Sequence, residues 1–246
     1  MQTPKSSRDR LIFALDLGEE IDDAVRWTDL LKDHVGMFKV GKEAFTRFGP
    51  DIVSKIQERG GKVFLDLKFH DIPNTVAMAS QAAVKLGVSM FNIHALGGRE
   101  MMERAVEAAK TTAQSLGTPP PVLLAVTVLT SLNNSDIKGM GFGCTTGELA
   151  LKLAVSARDA GVAGVVASPQ DVIPIKQACG KDFMIVTPGI RPDDKVTGDD
   201  QKRILTPRDA IAAGADYLVV GRPIRLAEDP VAAADSITED ISAGLR

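Results

Sequence analysis

The stretch "VFLDLKFHDIPNTVAMASQAAVKLGVSMFNIHA", residues 63 to 95, contains the unit from which the fold can be inferred. It begins with an apolar run of strand length, "VFLDLK", and continues with "NTVAMASQAAVKLG", whose apolar residues recur at helical spacing. Gly87 ends the helical segment, where glycine adopts a left-handed cap conformation easily. A second apolar run, "MFNIHA", completes the unit. The stretch therefore predicts a strand, a covering helix and a second, parallel strand.

The same unit recurs along the whole chain. Eight apolar runs of strand length are bounded by turn signals. They are "LIFALD" (11 to 16), "MFKVG" (37 to 41), "VFLDLK" (63 to 68), "MFNIHA" (90 to 95), "VLLAVTVLT" (122 to 130), "VAGVVAS" (162 to 168), "FMIVTPG" (183 to 189) and "YLVVGR" (217 to 222). Amphipathic segments lie between them, and glycine precedes several runs, as in "ERGGKV", "DAGVAG" and "AAGADY".

Eight such units in a chain of about 250 residues have the size of a closed barrel. We therefore predict an α/β protein, a single-domain (β/α)8 TIM barrel spanning residues 1 to 246, with residues 1 to 10 as a polar N-terminal extension. A doubly wound open sheet is the structural alternative. It is disfavoured because "ALDLGEEIDD" follows the first run, where such folds carry G-x-G-x-x-G.

Composition narrows the class of partner. The 246 residues are 44% hydrophobic and 25% charged with a net charge of -3, which is typical of a globular protein without general attraction for nucleic acid or anionic membranes. The initial "MQTPKSSRDR" lacks the apolar stretch of a secretory signal, and no run approaches the ~20 residues of a membrane span. We therefore expect a cytoplasmic protein. Cys144 and Cys179 have no CxxC spacing, so they support neither a disulfide framework nor a zinc site.

Polar residues cluster where the predicted strands end, which is the edge at which barrel enzymes carry their chemistry. They are Asp16, Lys39, Asp66, Lys68, Asn92, His94, Thr127, Thr130, Ser131, Ser168, Thr187, Pro188, Gly221 and Arg222. A single polar residue at a strand end is ordinarily a satisfied group or a helix cap, and we interpret Asn92, His94 and Ser168 in this way.

Four charged residues need a stronger explanation, because Lys and Asp are almost never buried unless they are paired. Asp66 and Lys68 are two positions apart, so both point toward the barrel axis if Leu65 and Leu67 pack against the helices. Lys39, at the end of the neighbouring strand, can then reach Asp66. The pattern predicts an alternating array of carboxylates and ammonium groups, and a purely structural ion-pair network is the alternative.

The loops after strands seven and eight predict a phosphate site. "TPGIRP" (187 to 192) and "GRPI" (221 to 224) both combine glycine with arginine at the position where many barrels bind phosphate. The adjoining "RPDDKVTGDDQ" (191 to 201) is polar and lacks helical period. It is interpreted either as a lid over the ligand or as a solvated connection.

These motifs together resemble the orotidine 5'-phosphate decarboxylase family of bacterial type over the whole chain. The resemblance is carried by "FALD" (13 to 16), "FKVG" (38 to 41), "DLKFHDIPNT" (66 to 75), "TVLTS" (127 to 131), "TPGIRP" (187 to 192) and "GRPI" (221 to 224). It implies a homodimeric barrel with shared active sites that converts orotidine 5'-monophosphate to UMP and CO2. The reaction is the last step of de novo pyrimidine nucleotide synthesis, and no metal or organic cofactor is implied.

The resemblance also implies roles for individual residues. Lys68 is implied to be the catalytic ammonium and proton donor, with Asp66, Lys39 and Asp71 completing the charged array. Asp16 and Lys39 are implied to hold the ribose hydroxyls.

Other implied contacts are with the partner subunit, the base and the phosphate. Asp71, Ile72 and Thr75 are implied to reach into the partner's site, and Thr130 or Ser131 to contact the pyrimidine edge. The residues implied to hold the phosphate or the lid above it are Pro188, Arg191, Gln201, Gly221 and Arg222.

Four alternatives remain at this stage. Sugar-phosphate decarboxylases and synthases that resemble this family share Asp-x-Lys-x-x-Asp but use Mg2+, which needs grouped carboxylates. A Schiff-base aldolase could use a strand lysine. A noncatalytic phosphate sensor has little reason to bear the cost of desolvating four charges. A metal hydrolase is disfavoured because His34, His70 and His94 have no HExxH spacing, and we interpret His70 as a structural hydrogen-bonding residue.

Overall fold

The computed structural model describes residues 4, 6–16, 20–191 and 205–246. Its eight strands are β1 (Leu11–Ala14), β2 (Met37–Gly41), β3 (Val63–Phe69), β4 (Met90–His94), β5 (Val122–Val126), β6 (Gly164–Val166), β7 (Met184–Thr187) and β8 (Tyr217–Val220). Each strand pairs in parallel with the next, and β8 pairs with β1. The sheet is thus a closed barrel in sequence order, and the predicted TIM barrel is confirmed.

Helices cover the outside of this barrel. They are α1 (Ile21–Leu31), α2 (Lys42–Phe48), α3 (Asp51–Glu58), α4 (Pro73–Lys85), α5 (Arg99–Ser115), α6 (Asn134–Gly139), α7 (Thr146–Asp159), α8 (Val172–Cys179), α9 (Pro207–Ala212), α10 (Arg222–Arg225) and α11 (Pro230–Gly244). Short 3-10 helices span Arg8–Arg10, Ala95–Gly97 and Pro169–Asp171. Among the described residues no helix is both long and apolar enough to cross a bilayer.

The strands are apolar on both faces because each face is covered. Phe64 points into the barrel, where it belongs to an inner cluster, while its neighbours Val63 and Leu65 pack outward against the helices. The inner cluster consists of Ile12, Ala14, Met37, Phe64, Met90, Leu124, Met184, Val186, Tyr217 and Val219. A barrel filled in this way is a packed core, so ligands can enter only at its ends.

Two strands are shorter than the apolar runs that predicted them. β5 ends at Val126, although the run continues to residue 130, because Val128 packs with Ile137 and Leu149 in a separate cluster beneath the following loop. β6 begins at Gly164 because the backbone N–H of Val162 still bonds to a carbonyl in the last turn of α7. An apolar run shows that a segment is buried, but it does not show where the backbone leaves the sheet.

Polar contacts connect the elements at the N-terminal end of the barrel, where the strands begin. Arg10, within the segment suggested by the sequence as an extension, donates a hydrogen bond of 3.1 Å to the carbonyl of Asp216. The Asp216 carboxylate accepts hydrogen bonds of 2.8 Å from Lys176 Nζ and from the backbone N–H of Ile185. These bonds tie α8 and the starts of β7 and β8 together, away from the open mouth.

Candidate active site

A cavity of about 610 Å3 opens at the C-terminal ends of the strands. Its lining includes ten of the residues that the sequence singled out, contributed by six of the eight strands or the loops that follow them. These are Asp16, Lys39, Asp66, Lys68, Thr130, Ser131, Pro188, Arg191, Gly221 and Arg222. The tertiary structure therefore brings residues that are up to 206 positions apart in the chain, from Asp16 to Arg222, to one cavity.

Lys39 is the central charge of this cavity. Only 8% of its surface is exposed, and its Nζ lies 3.1 Å from Asp16 Oδ1 and 3.4 Å from Asp66 Oδ2. Burial alone would lower the pKa of Lys39, but the negative charges of Asp66 and Asp16 outweigh burial and hold the pKa above its ordinary value. A Cβ at Gly41 would lie 2.9 Å from both Lys39 Nζ and Asp16 Oδ1. Glycine at this position therefore leaves room for the pair.

Asp66 joins the two lysines. Its Oδ1 lies 2.6 Å from Lys68 Nζ, and its Oδ2 faces Lys39. Burial alone would raise the pKa of Asp66, but the charges of Lys39 and Lys68 and a hydrogen bond from Asn92 hold it below the ordinary value. Asp66 is therefore an anion at neutral pH. Asp16, Lys39, Asp66 and Lys68 form one continuous chain of alternating charges.

The backbone that carries Lys68 is irregular. Leu65 pairs with Phe91 and Phe69 pairs with Ile93, so that residues 66 to 68 of β3 stand opposite the single residue Asn92 of β4. Lys68 itself has a φ of 52°, which is uncommon outside glycine. A bulge of this kind redirects a side chain, and here it lies beside the cavity.

Asn92 is the main residue that the sequence interpretation underestimated. It is fully buried, donates from Nδ2 to Asp66 Oδ1 at 2.6 Å and accepts at Oδ1 from the backbone N–H of Lys68 at 2.8 Å. The signal available in the sequence was an amide in the middle of an apolar strand, because such a group is costly to bury without partners. Arg225, which also lines the cavity and donates to the Asp16 carbonyl at 3.2 Å, was not singled out at all.

Three residues that the resemblance assigns to a partner subunit's site lie on the surface, outside the cavity of their own chain. Asp71 and Ile72 immediately precede α4, and Thr75 lies in its first turn. All three are exposed, Ile72 to 67%, and the Asp71 carboxylate accepts a hydrogen bond of 2.7 Å from the Ile72 N–H. Their side chains do not line the cavity of their own chain.

Arg191 and Arg222, which follow β7 and β8, line the same cavity as the carboxylates. Arg191 is 6% exposed and donates to the carbonyl of Ile190 at 2.7 Å. Burial and the nearby charge of Arg222 lower the pKa of Arg191 from its ordinary value. Arg222 begins α10 directly after Gly221. Two neighbouring guanidinium groups favour an anionic ligand.

Gln201 and most of the predicted lid, residues 191 to 201, lie outside the described residues.

The loop after β5 provides the remaining wall. Thr130 and Ser131 both line the cavity, together with the partly exposed Leu129. The hydroxyl of Thr127, by contrast, donates to the Val166 carbonyl at 3.1 Å, so it is part of the barrel framework. Ser168 and Thr187 are fully buried, and among the described residues their hydroxyl oxygens have no hydrogen-bond partner. The interpretation of Ser168 as a satisfied polar group therefore does not hold for its hydroxyl within the described part of the chain.

The two histidines near this mouth stack on each other. The rings of His70 and His94 have centroids 5.2 Å apart. Burial, together with the neighbouring His70 and Lys68, lowers the pKa of His94 to about 4, so it is neutral at physiological pH. His70 contacts His94 by ring stacking. Within the described ranges, no group of three or more His, Cys, Asp or Glu side chains is arranged to hold a metal ion.

A family profile, curated relatives and a solved structure all relate the chain to the same family. Residues 9–237 match the profile of the orotidine 5'-phosphate decarboxylase / HUMPS family. The chain is 62% identical to the orotidine 5'-phosphate decarboxylase of Syntrophus aciditrophicus, over 98% of this chain and 96% of that protein. It is 54% identical to the corresponding protein of a Geobacter species, over 96% and 97% of the two chains. The crystal structure of orotidine 5'-phosphate decarboxylase from Lactobacillus acidophilus superimposes with a TM-score of 0.82 at 38% identity, covering 98% of this chain and all of that one.

Proposed function

The chain belongs to the orotidine 5'-phosphate decarboxylase / HUMPS family, and from this premise we propose that it converts orotidine 5'-monophosphate to UMP and CO2. This is the last step of de novo pyrimidine nucleotide synthesis, and the proposal assigns no metal or organic cofactor to it. The observation that carries the proposal is the continuous chain of charges from Asp16 to Lys68, which ends on an ammonium group inside the cavity. The arginines that line the same cavity support an anion site for the phosphate of a nucleotide.

The reaction needs strong electrostatic assistance. When the C6–CO2 bond breaks, the electron pair remains in an sp2 orbital of C6 that the ring π-system cannot delocalise. Enzymes accelerate difficult reactions by up to ~10¹⁷-fold, or about 23 kcal/mol, which is more than one hydrogen bond can supply. A fixed ammonium beside C6 is attracted more strongly to the developing carbanion than to the ground state, and this difference raises the rate.

Lys68 is the group proposed to act at C6. Its Nζ is held by Asp66 at 2.6 Å and has a partly exposed side chain within the cavity. After CO2 leaves, Lys68 donates a proton to C6, and the electron pair of the broken bond forms the new C–H bond. A vinyl-type carbanion is far more basic than an amine with an ordinary pKa of about 10.4, so the transfer runs downhill.

Two roles are proposed for Asp66, and each is supported by one property of the charge array. Its contact with Lys68 supports a role in positioning the ammonium. Because Asp66 is an anion, it can also repel the substrate carboxylate, and that repulsion disappears as CO2 forms. Replacement by asparagine removes the charge while keeping the size. Loss of turnover with tighter binding of the substrate would favour repulsion, and loss of turnover with unchanged binding would favour positioning.

Binding energy for these steps comes from the rest of the nucleotide. Asp16 and Lys39 are assigned to the ribose hydroxyls and Thr130 or Ser131 to the pyrimidine edge, since all four line the cavity. Pro188, Arg191, Gly221 and Arg222 are assigned to the phosphate. Contacts remote from C6 can be used to position the base, so a substrate without its phosphate should lose turnover as well as affinity.

We also propose that two copies of the chain form a homodimer with shared active sites. Asp71, Ile72 and Thr75 lie on the surface outside their own cavity, and Ile72 exposes an apolar side chain to 67%. An exposed isoleucine beside an aspartate and a threonine suits insertion into the opening of the cavity in a partner subunit. There Asp71 would add a second carboxylate near the partner's Lys68.

One assay tests the proposal directly. Purified, chelator-treated protein is mixed with orotidine 5'-monophosphate, and the loss of substrate absorbance is followed together with the release of CO2. Turnover without added metal supports the proposal. No turnover of orotidine 5'-monophosphate would contradict the proposal, and turnover of a sugar phosphate only after addition of Mg2+ would favour a metal-dependent sugar-phosphate enzyme. Trapping by borohydride in the presence of a keto-sugar phosphate would indicate a Schiff-base enzyme.

A further inference from the structure

Asn92 is an unusual residue for the place it occupies. It lies in the middle of β4, is completely buried and has apolar neighbours on its own strand in Phe91 and Ile93. β5 brings the apolar Leu124 opposite it. A primary amide at such a position costs free energy unless its donors and acceptor find partners. The partners that Asn92 finds both belong to the bulge of β3.

The two hydrogen bonds of Asn92 have a defined direction. The Lys68 backbone N–H can only donate, so it must face Asn92 Oδ1, at 2.8 Å. The ionised Asp66 carboxylate can only accept, so it must face Asn92 Nδ2, at 2.6 Å. The network thereby fixes the orientation of the amide, and one side chain holds the backbone of Lys68 and the carboxylate of Asp66 at once.

The bulge explains why such a clamp is needed. Three residues of β3 stand opposite Asn92 alone, so the regular ladder cannot pair the Lys68 N–H with β4. Lys68 also has a φ of 52°, a conformation that costs a residue other than glycine free energy unless the surroundings hold it. The Asn92 carbonyl oxygen takes the place of the missing ladder acceptor. Without it, the Lys68 N–H would be left without that bond beside the cavity.

We propose that Asn92 is a positioning residue, which holds the Lys68 ammonium in its reactive place by fixing the bulge and the Asp66 carboxylate together. The inference rests on the proposed decarboxylation and adds a residue to its machinery that does not line the cavity. Asp66 Oδ1 accepts hydrogen bonds from both Asn92 Nδ2 and Lys68 Nζ, so a shift of the carboxylate moves the ammonium with it. A displacement of about 1 Å at a reacting group can lower the rate by roughly a hundredfold.

The first test compares Asn92→Leu with the parent. Leucine has a similar size but removes both hydrogen bonds. The expected result is a kcat lowered by roughly a hundredfold, with KM and the dissociation constant for UMP little changed, because the ribose and phosphate contacts are left in place. Thr28→Val is the matched control. Thr28 is equally buried, and its hydroxyl bond to the Ala24 carbonyl in α1 lies outside the cavity, so kcat should remain at the parent value.

The second test uses Asn92→Asp and keeps the inference testable if the leucine variant does not fold. The new carboxyl would face Asp66, with Lys39 from β2, Lys68 from β3 and His94 from β4 as the other ionisable groups nearby. Two carboxylates this close share one proton, so one pKa is raised. While it is protonated, the new carboxyl can donate to Asp66 as the amide does. The ratio of kcat between variant and parent should therefore be highest at low pH and fall as pH rises through that raised pKa.

The outcomes distinguish a failure of the proposed function from a failure of the positioning role of Asn92. If the parent protein does not decarboxylate orotidine 5'-monophosphate, the proposed function fails. If the parent is active and Asn92→Leu keeps the parent kcat, or loses kcat and UMP affinity to the same extent, the positioning role is overturned. Where only Asn92→Asp folds, a kcat ratio that does not change with pH overturns it equally.

Discussion

Lys39 and Asp66, at the ends of neighbouring strands, lie with Nζ and Oδ2 3.4 Å apart, and both side chains are almost completely buried. Burial opposes the charged form of each residue, yet the pKa of the lysine is raised and that of the aspartate is lowered. Each residue therefore stabilises the charged form of the other, together with Asp16 and Lys68. The cavity holds a fixed set of charges before any ligand arrives, which is the condition for preorganised electrostatic catalysis.

The first prediction concerns Lys68. Lys68→Ala should lower kcat by roughly 10³-fold or more, because its ammonium is proposed to stabilise mainly the transition state, while UMP should bind nearly as well as before. Steady-state kinetics and calorimetric titration with UMP measure the two effects. The exposed Lys62 provides the control, since Lys62→Ala should leave both unchanged. Parent-like turnover by Lys68→Ala would remove the proposed mechanism.

The second prediction concerns the stability that Lys39 contributes. Lys39→Met should lower the free energy of unfolding at pH 7 by about 3 kcal/mol, since it leaves the buried Asp66 with one counter-ion fewer. Denaturant titration measures this difference. Lys32→Met, which breaks an exposed contact of 3.5 Å with Asp29, should cost at most about 1 kcal/mol.

The pH dependence of this difference has a definite sign. The folded-state pKa of Asp66 is lowered, so its pairing stabilises the parent above the ordinary value of 3.8 and is lost as pH falls through the lower folded value. The raised pKa of Lys39 means that its share is fully present below 10.5 and is lost only as pH rises beyond that. The gap between parent and Lys39→Met should therefore shrink in acid. A gap independent of pH would contradict the charge pairing.

The third prediction concerns the phosphate. Arg222→Ala should weaken binding of UMP by roughly ten- to a hundredfold, because a hydrogen bond to a charged group contributes about 1.5–3 kcal/mol. Binding of uridine, which lacks the phosphate, should change little. Competition titrations with both ligands measure the contrast, and Arg59→Ala on the exposed surface is the control. Equal weakening of both ligands would contradict the assignment of Arg222 to the phosphate.

The fourth prediction concerns the proposed dimer. Lys68→Ala and Asp71→Ala should each be inactive alone, but mixing them should restore activity, because a mixed dimer contains one site with both Lys68 and the partner subunit's Asp71. Specific activity of the parent should also fall on dilution below the dimer dissociation constant. Mixing Lys68→Ala with Asp66→Asn is the control, since both changes affect the same chain's cavity. Activity that stays absent on mixing would show a site contained in one chain.

The sequence by itself determined the barrel and the end at which its candidate active site lies. Strands covered on both faces must be apolar throughout, so all eight could be recognised as continuous runs, and glycines marked the ends of several preceding helices. Charged residues such as Lys39 and Asp66 stood out for the same reason, because they interrupted segments that had to be buried.

Only the tertiary structure decided how those residues meet. Contacts across strands depend on the register between them. The bulge that places residues 66 to 68 opposite Asn92 has no signature in the spacing of the sequence, so Asn92 was interpreted as an ordinary satisfied polar group. The end of β5 was hidden because Val128 is buried in a different cluster from the strand before it. Periodicity records burial along one segment, whereas a site depends on distances between segments, which the packed fold alone determines.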